Sequence, residues 1–454
     1  MEITLIVVLV IALALFFDFT NGFHDTANAM ATPIATGAIK PKTAVALAAV
    51  LNLVGAFLST EVATTISGGL LHEGEGGFSI GPGIIFAGLM GAVVWNMLTW
   101  LLGLPSSSSH ALFGGLIGAA IVGAGFGVVN YGTVVSKVLL PALLAPLIAG
   151  LAAYLCTKLA YGITKRPSGV SSPKRGGFRV GQIFSSSLVA LAHGTNDAQK
   201  TMGVITLALV ASGLQESGTH VHFWVIAACA LAIALGTYVG GWRIIATMGK
   251  GLTEVKPAQG FSAESSTAAA ILASSHLGFA LSTTQVASGS VIGSGLGRKG
   301  ASVQWRTAGR IATGWLFTLP SAAIVGAAAA ALTYLGTPGL ILVAVIGFGV
   351  VLLIWWLSRK DVIGPHHAVS DVDEAGAAVN IPTKKQRRKM RKKQREAERA
   401  EADRMVREAK KKNNKAPKDT ARTDRPDKAP SASAARNATG AAPGDDNHGP
   451  EGTR

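Results

Sequence analysis

The sequence predicts an all-α polytopic membrane protein: two inverted-topology repeats of about five membrane elements with broken helices, plus one extra C-terminal transmembrane helix. Three observations support this fold class. The mean hydropathy is +0.40 over 454 residues, although residues 359–454 are very polar. A polar motif occurs twice in apolar surroundings, and basic residues recur in alternate loops.

The apolar stretches are numerous and long. Many approach the roughly 20 residues that cross a hydrocarbon core of about 30 Å, and no soluble domain requires so many. They lie at about 3–17, 44–58, 84–104, 111–129, 138–156, 222–242, 311–333 and 339–357. The abundant Gly and Ala suit close packing between helices in lipid. These features exclude a soluble globular protein.

Two polar motifs indicate a duplication. Residues 21–30 read Asn-Gly-Phe-His-Asp-Thr-Ala-Asn-Ala-Met, and residues 193–202 read His-Gly-Thr-Asn-Asp-Ala-Gln-Lys-Thr-Met. When Asp25 is aligned with Asp197, the glycines and methionines also coincide, and the offset is 172 residues.

A pair of turns repeats at nearly the same offset. Residues 103–110 read Gly-Leu-Pro-Ser-Ser-Ser-Ser-His, and residues 278–285 read Gly-Phe-Ala-Leu-Ser-Thr-Thr-Gln, so Thr284 follows Ser109 by 175 residues. Two motifs at almost one offset predict a duplicated unit whose copies contribute two halves of one site.

Loop charge gives each element a direction. Element 1 (about 3–36) runs inward to the basic turn at Lys40, and Asn21-Gly22 is expected to interrupt it. The following elements are 44–69, 83–104, 110–129 and 135–160. Because basic residues mark cytoplasmic loops and five is an odd number of elements, the second repeat is predicted to be upside down relative to the first.

The chain therefore divides into five segments. They are repeat 1 (1–162), a basic cytoplasmic linker (163–182), the inverted repeat 2 (183–333), the extra transmembrane helix (334–358) and a basic, largely disordered cytoplasmic tail (359–454). The tail holds 24 Lys and Arg against 15 Asp and Glu. Beside the inner face of a membrane, this composition predicts contact with anionic lipids, and no nucleic-acid partner is expected.

The hydroxyl-rich turns predict an anion site. Hydroxyls and free backbone N–H groups at a helix N-terminus bind small oxyanions, helped by the helix dipole. The predicted anion ligands are Ser107, Ser108, Ser109, Ser282, Thr283, Thr284, Asn28 and Asn196. The alternative is that these hydroxyls only form hydrogen bonds between membrane helices.

The paired aspartates predict a cation site. Asp25 and Asp197, with Asn28, offer hard oxygen ligands beside interrupted helices, which suits Na⁺ or a proton moving with an anion. The alternative for each carboxylate is a structural acid paired with Lys200 or with a helix N-terminus. Lys200 neutralises Asp197 or faces the anion, and the sequence leaves both possibilities open.

Six other polar residues are candidates of second rank: His24, His110, Lys200, Gln285, Glu61 and Glu264. His24 and, in the second motif, His193 could carry protons, although a lone histidine is more often a hydrogen-bonded packing residue. Glu264 is expected at the cytoplasmic interface, where a charge costs little.

These motifs resemble the PiT family of inorganic phosphate transporters, and the first resembles its bacterial branch. The resemblance covers about residues 1–357 and includes Gly260-Phe-Ser-Ala-Glu264. It implies phosphate transport driven by a cation gradient, in a homodimer, with the Asn-Asp motifs and the Ser/Thr turns as the substrate and cation sites. His24 stands where many members have Asn, and Gln285 where many have His.

The expected function is import of inorganic phosphate across the plasma (inner) membrane, coupled to Na⁺ or H⁺ and by alternating access. The N-terminus is expected outside and the tail inside. No cofactor is expected, although the resemblance allows a divalent metal to accompany phosphate. A sulfate permease is the alternative. An enzyme is not expected, because adjacent residues such as Ser109 and His110 rarely present side chains to each other on a helix. A scaffold built around the tail is a further alternative.

Overall fold

A computed structural model describes residues 3–71, 80–164 and 175–359. All the helices described belong to one compact unit. In chain order they are α1 (Ile3–Ala35), α2 (Pro41–Gly55), α3 (Glu61–Gly69), α4 (Pro82–Leu101), α5 (Ser108–Ala124), α6 (Tyr131–Thr133), α7 (Leu140–Ile163), α8 (Arg175–Ala211), α9 (Phe223–Val239), α10 (Trp242–Lys250), α11 (Pro257–His276), α12 (Thr283–Gly297), α13 (Trp305–Thr333) and α14 (Thr337–Ser358). The described part of the chain is thus almost entirely helical, as predicted.

The first polar motif does not interrupt its helix. The expectation of a break at Asn21-Gly22 is wrong, because α1 is continuous through both residues. Gly22 serves close packing instead: a Cβ there would lie 2.3 Å from the carbonyl oxygen of Ile233 in α9. Gly194 has the equivalent role in α8, where a Cβ would lie 2.2 Å from the carbonyl oxygen of Asn52 in α2.

Other elements are broken. The predicted element 44–69 consists of two helices, α2 and α3. The corresponding element of the second repeat also consists of two helices, α9 and α10, which meet at a bend of 69°. A chain break inside a membrane protein is tolerated where the freed backbone groups are buried in protein.

Both hydroxyl-rich turns carry the chain from the surface into the interior. Leu102, just after α4, is 57% exposed, whereas Ser107 is fully buried at the start of α5. Leu277, just after α11, is 64% exposed, whereas Ser282 is only 4% exposed at the start of α12. The N-termini of α5 and α12 therefore lie inside the protein rather than at its surface.

The two repeats interlock. α5 packs against α13, and its counterpart α12 packs against α7. Likewise α1 packs against α9, and α8 packs against α2. Each of these contacts between a helix of one repeat and a helix of the other thus has an equivalent contact in which the two repeats have changed roles. This agrees with a duplication. The direction of each repeat relative to a membrane stays a prediction.

The chain is a multi-pass membrane protein. Among the described residues, five helices are long and apolar enough to cross a bilayer, or up to six if the bent pair α9–α10 is one span. The structure leaves the five-segment division untested, although α8 begins at Arg175, inside the predicted linker. Residues 360–454, which include nearly all of the predicted tail, lie outside the described residues.

Candidate substrate and cation site

Asp25 lies near the middle of α1 with hydrogen-bond partners from three helices. Its Oδ1 lies 2.6 Å from Nδ1 of His24 and accepts from the Thr284 hydroxyl at 3.2 Å. Its Oδ2 accepts from the Ser108 hydroxyl at 3.0 Å. Asp25 is buried, so these donors replace the water that would otherwise solvate the carboxylate.

Asp197 lies in α8 and is also buried. Its Oδ1 accepts from the Lys200 ammonium and, at 2.9 Å, from the Asn196 amide. Its Oδ2 lies 3.0 Å from Nε2 of His193 and accepts from the Thr283 hydroxyl at 3.2 Å. Each aspartate of the repeated motif thus lies beside a histidine and accepts from at least one hydroxyl of the turns.

The two carboxylates belong to one site. Nε2 of His193 lies 3.0 Å from Asp197 and 3.9 Å from Asp25. One ligand atom from each of these three residues lies within 4.8 Å of the others. The Thr283 hydroxyl also lies between the carboxylates, at 3.2 Å from Asp197 and 3.4 Å from Asp25. Two carboxylates this close favour binding of a positive charge between them.

Asn28 supplies a further oxygen beside the carboxylates. Its Nδ2 donates to Thr283 at 3.3 Å and to Thr284 at 3.0 Å. Its Oδ1 is buried and has no hydrogen-bond partner among the described residues. An amide oxygen left over next to carboxylate oxygens fits a hard cation such as Na⁺.

The two turns adopt the same local structure. Ser107 caps α5 by accepting from the His110 N–H at 3.2 Å, and Ser282 caps α12 by accepting from the Gln285 N–H at 3.3 Å. These two predicted anion ligands therefore cap the helices. The hydroxyls that follow the caps, those of Ser108, Thr283 and Thr284, donate to the aspartates. The contacts predicted between the turns and an anion stay predictions.

Lys200 interacts with Asp197 and with both hydroxyl-rich turns. Its ammonium donates to Asp197, to the Ser109 hydroxyl at 2.6 Å and to the Leu281 carbonyl at 2.9 Å. An ammonium has three N–H donors, and all three have acceptors here. In this structure Lys200 therefore neutralises Asp197, the first of the two roles that the sequence left open.

Among the residues of second rank, His24 and Lys200 contact the aspartates directly. His110 and Gln285 are buried in the first turns of α5 and α12, and each has a side-chain atom without a partner among the described residues. Glu61 is exposed at the start of α3 and makes no described contact with the aspartates.

Glu264 lies in a separate polar cluster. Its carboxylate accepts from Thr32, from Gln182 at 3.1 Å and from Ser185 at 2.6 Å. Glu264 is buried within the protein, so solvent does not lower the cost of its charge as expected, whereas its position relative to the membrane interface stays a prediction. Three side-chain donors compensate its burial, which the sequence around Glu264 alone does not reveal.

Three contributors lie outside the predicted anion and cation ligands, although one of them, His193, was predicted as a possible proton carrier. His193 and Asn21 each precede an aspartate by four residues, a spacing that puts both side chains on one helix face. Nδ2 of Asn21 lies 3.4 Å from Asp197. The Leu281 carbonyl accepts from Asn196 at 3.0 Å, Ser109 at 3.2 Å and Lys200. A backbone acceptor leaves no signal in side-chain patterns.

Comparison with known proteins identifies the family. Residues 21–326 match the family model described as "Phosphate transporter family". The chain belongs to the phosphate transporter family. The match includes both aspartate motifs and both hydroxyl-rich turns, and it confirms that the chain is a transport protein rather than an enzyme.

Two curated relatives carry the name "Probable low-affinity inorganic phosphate transporter". The one from Mycobacterium bovis is 55% identical over 363 residues, which are 78% of this chain and 84% of the relative. The one from Bacillus subtilis is 42% identical over 330 residues, which are 72% of this chain and 98% of the relative.

A solved structure titled "The sodium-dependent phosphate transporter" resembles the model with a TM-score of 0.64. It is 23% identical and covers 73% of this chain and 99% of its own. At that identity the likeness shows the fold, and it confirms the predicted all-α polytopic fold class, whereas the inversion of the repeats stays a prediction.

Proposed function

We propose that this protein imports inorganic phosphate across the plasma membrane, driven by an inward cation gradient. The observation that carries the proposal is that the hydroxyls of both turns donate to the two aspartates of one buried site. The family membership and the names of its relatives support phosphate as the substrate.

The hydroxyl contacts suggest how cation and anion binding are coupled. Each hydroxyl has one O–H donor, and in Ser108, Thr283 and Thr284 that donor is used by a carboxylate. A cation bound between Asp25 and Asp197 satisfies the same carboxylate oxygens. The three donors are then free for phosphate oxygens. Phosphate binding thus requires the cation, which also removes the repulsion between phosphate and the carboxylates.

Burial of the site supports alternating access. The predicted anion and cation ligands are shielded from solvent, and even Asn28 is only 7% exposed. The hydroxyl-rich turns of α5 and α12 come from different repeats, contact each other through Ser109 and the Leu281 carbonyl, and both donate to the aspartates. Rocking of one repeat against the other would open the site to one side at a time, as in other transporters with inverted repeats.

The cation is Na⁺ or H⁺. The oxygen ligands suit Na⁺, and the two histidines next to the aspartates suit a proton. A divalent metal could be carried with phosphate without any resident cofactor. We also propose that the protein forms a homodimer and that its basic tail contacts anionic lipids.

The proposed orientation has the N-terminus outside and the tail inside. It is tested by single-cysteine labelling at Glu75 and at Lys174 in a chain without Cys156 and Cys229. Both labelled positions lie outside the described residues. Labelling from opposite sides of the membrane is expected, and labelling from one side would contradict the inverted topology.

The function is tested by uptake of radiolabelled phosphate into proteoliposomes under separately imposed Na⁺ and H⁺ gradients, with and without competing sulfate. Uptake driven by one gradient and resistant to sulfate supports the proposal and identifies the cation. Sulfate entry with loss of phosphate uptake would favour a sulfate permease instead. Deletion of residues 359–454 is the control for the scaffold alternative, and transport is expected to survive it.

A further inference from the structure

Asp18 is an acid in α1 that the proposed transport mechanism does not use. Its side chain is fully buried. Neither carboxylate oxygen has a hydrogen-bond partner among the described residues. A bare carboxylate is costly in a membrane-embedded interior, so a group of this kind points to a bound positive charge.

Two residues around Asp18 carry further buried oxygens without a hydrogen-bond partner of ordinary geometry among the described residues. Asn21 follows it by one turn of α1, so both side chains lie on the same helix face. Nδ2 of Asn21 faces Asp197, whereas its Oδ1 is buried without a partner. The Thr201 hydroxyl, in α8, is close enough to Asp18 to favour the charged carboxylate as a donor would, yet it forms no hydrogen bond of ordinary geometry with any described residue.

We infer that Asp18, Asn21 Oδ1 and Thr201 Oγ1 form a second monovalent-cation site, which takes Na⁺. The group offers two carboxylate oxygens, one amide oxygen and one hydroxyl oxygen, and hard cations prefer such a set. A proton bound to Asp18 would provide a single O–H donor, and that donor could form a hydrogen bond with only one of the other oxygens. A cation satisfies all of them at once.

The charges around this site are few and lie mainly on α8. His193, Asp197 and Lys200 are close enough to act on Asp18 electrostatically. Cys229 faces it from α9. α4, which also packs on α1, contains no charged residue. Lys200 donates to Asp197, to Ser109 and to Leu281, so the charge of Asp18 has no direct counterion in the described contacts.

Asn21 connects the two cation sites. Its amide nitrogen contacts Asp197 of the first site, and its amide oxygen belongs to the second. Na⁺ bound near Asp18 would fix the orientation of this amide and hence one of the donors to Asp197. The coupling role of the second site rests on the proposed function, but Na⁺ binding itself does not.

The test measures ²²Na⁺ binding to the purified full-length chain in detergent, without phosphate. The variants are Asp18→Asn, which keeps the shape of the side chain, and Thr201→Val, which removes one oxygen. Glu216→Gln, at an exposed loop position, is the matched control. We expect Asp18→Asn to bind one Na⁺ fewer per chain, Thr201→Val to bind that ion roughly 10-fold more weakly, and the control to match the wild type.

Equal Na⁺ stoichiometry in Asp18→Asn and the wild type would overturn the inference. A shifted pH dependence of uptake in Asp18→Asn, with unchanged ²²Na⁺ binding, would also overturn it and assign a proton to Asp18. If Asp18→Asn does not fold, Thr201→Val decides on the same readout. The wild-type chain could transport no phosphate while the variants still lose Na⁺ binding. That combination would support the second site and refute only the proposed function.

Discussion

Replacing Lys200 with Met tests whether this lysine is the counterion of Asp197. Lys200 is almost completely buried, and all three of its donors have acceptors. Met keeps most of the volume but removes the charge. Removing one partner of a buried ion pair costs about 3–5 kcal/mol. Asp197 keeps His193 and Asn196 at 3.0 and 2.9 Å, so we expect the lower end, about 3 kcal/mol.

The assay is thermal unfolding of the purified protein in detergent, analysed as a double-mutant cycle. We expect Lys200→Met to lower the midpoint by several degrees, since about 1 kcal/mol corresponds to roughly 2–4 °C in chains of moderate size. Adding Asp197→Asn should recover part of the loss, because no unpaired charge is then left buried. Lys158→Met, on the exposed side of α7, is the control for losing a lysine.

The counterion argument would be refuted by a Lys200→Met variant as stable as the wild type. Additivity of the two substitutions within about 0.5 kcal/mol would refute it as well. Normal stability combined with a large rise in the KM for phosphate would instead assign Lys200 to the anion.

Three other predictions concern the site and the packing around it. Asp25→Asn is expected to abolish uptake while the protein still inserts into the membrane, because the cation loses a charged ligand. Ser108→Ala and Thr283→Ala are expected mainly to raise the KM for phosphate in uptake assays, since each removes one donor. Gly194→Ala should cost about 1–3 kcal/mol in thermal unfolding through overpacking, because its Cβ would lie 2.2 Å from a backbone oxygen, whereas Gly162→Ala has open space.

Each of these predictions has an outcome that contradicts it. Unchanged uptake in Asp25→Asn would remove this carboxylate from the mechanism. An unaltered KM in both hydroxyl variants would place the anion elsewhere. A Gly194→Ala variant as stable as Gly162→Ala would show that α2 and α8 can separate at no cost.

Much of the candidate site was predictable because its motifs occur twice in the sequence. Asp25 and Asp197 are recognisable as partners from the motif alignment, and the structure brings both within contact of one histidine. The effect of Gly22 was not predictable in the same way. In a sequence, a glycine within a polar motif suggests a helix break. Here the tight contact with α9 requires Gly22, and α1 stays continuous.

The amino-acid sequence by itself determined the helical membrane fold, the duplication and the residue types of the site. These follow from hydropathy, spacing and repetition, which are properties of neighbouring residues. Only the tertiary structure decided that Lys200 pairs with Asp197, that the turn hydroxyls donate to the aspartates, and that Glu264 is buried. Those contacts join residues far apart in the chain, and their geometry depends on how the two repeats interlock.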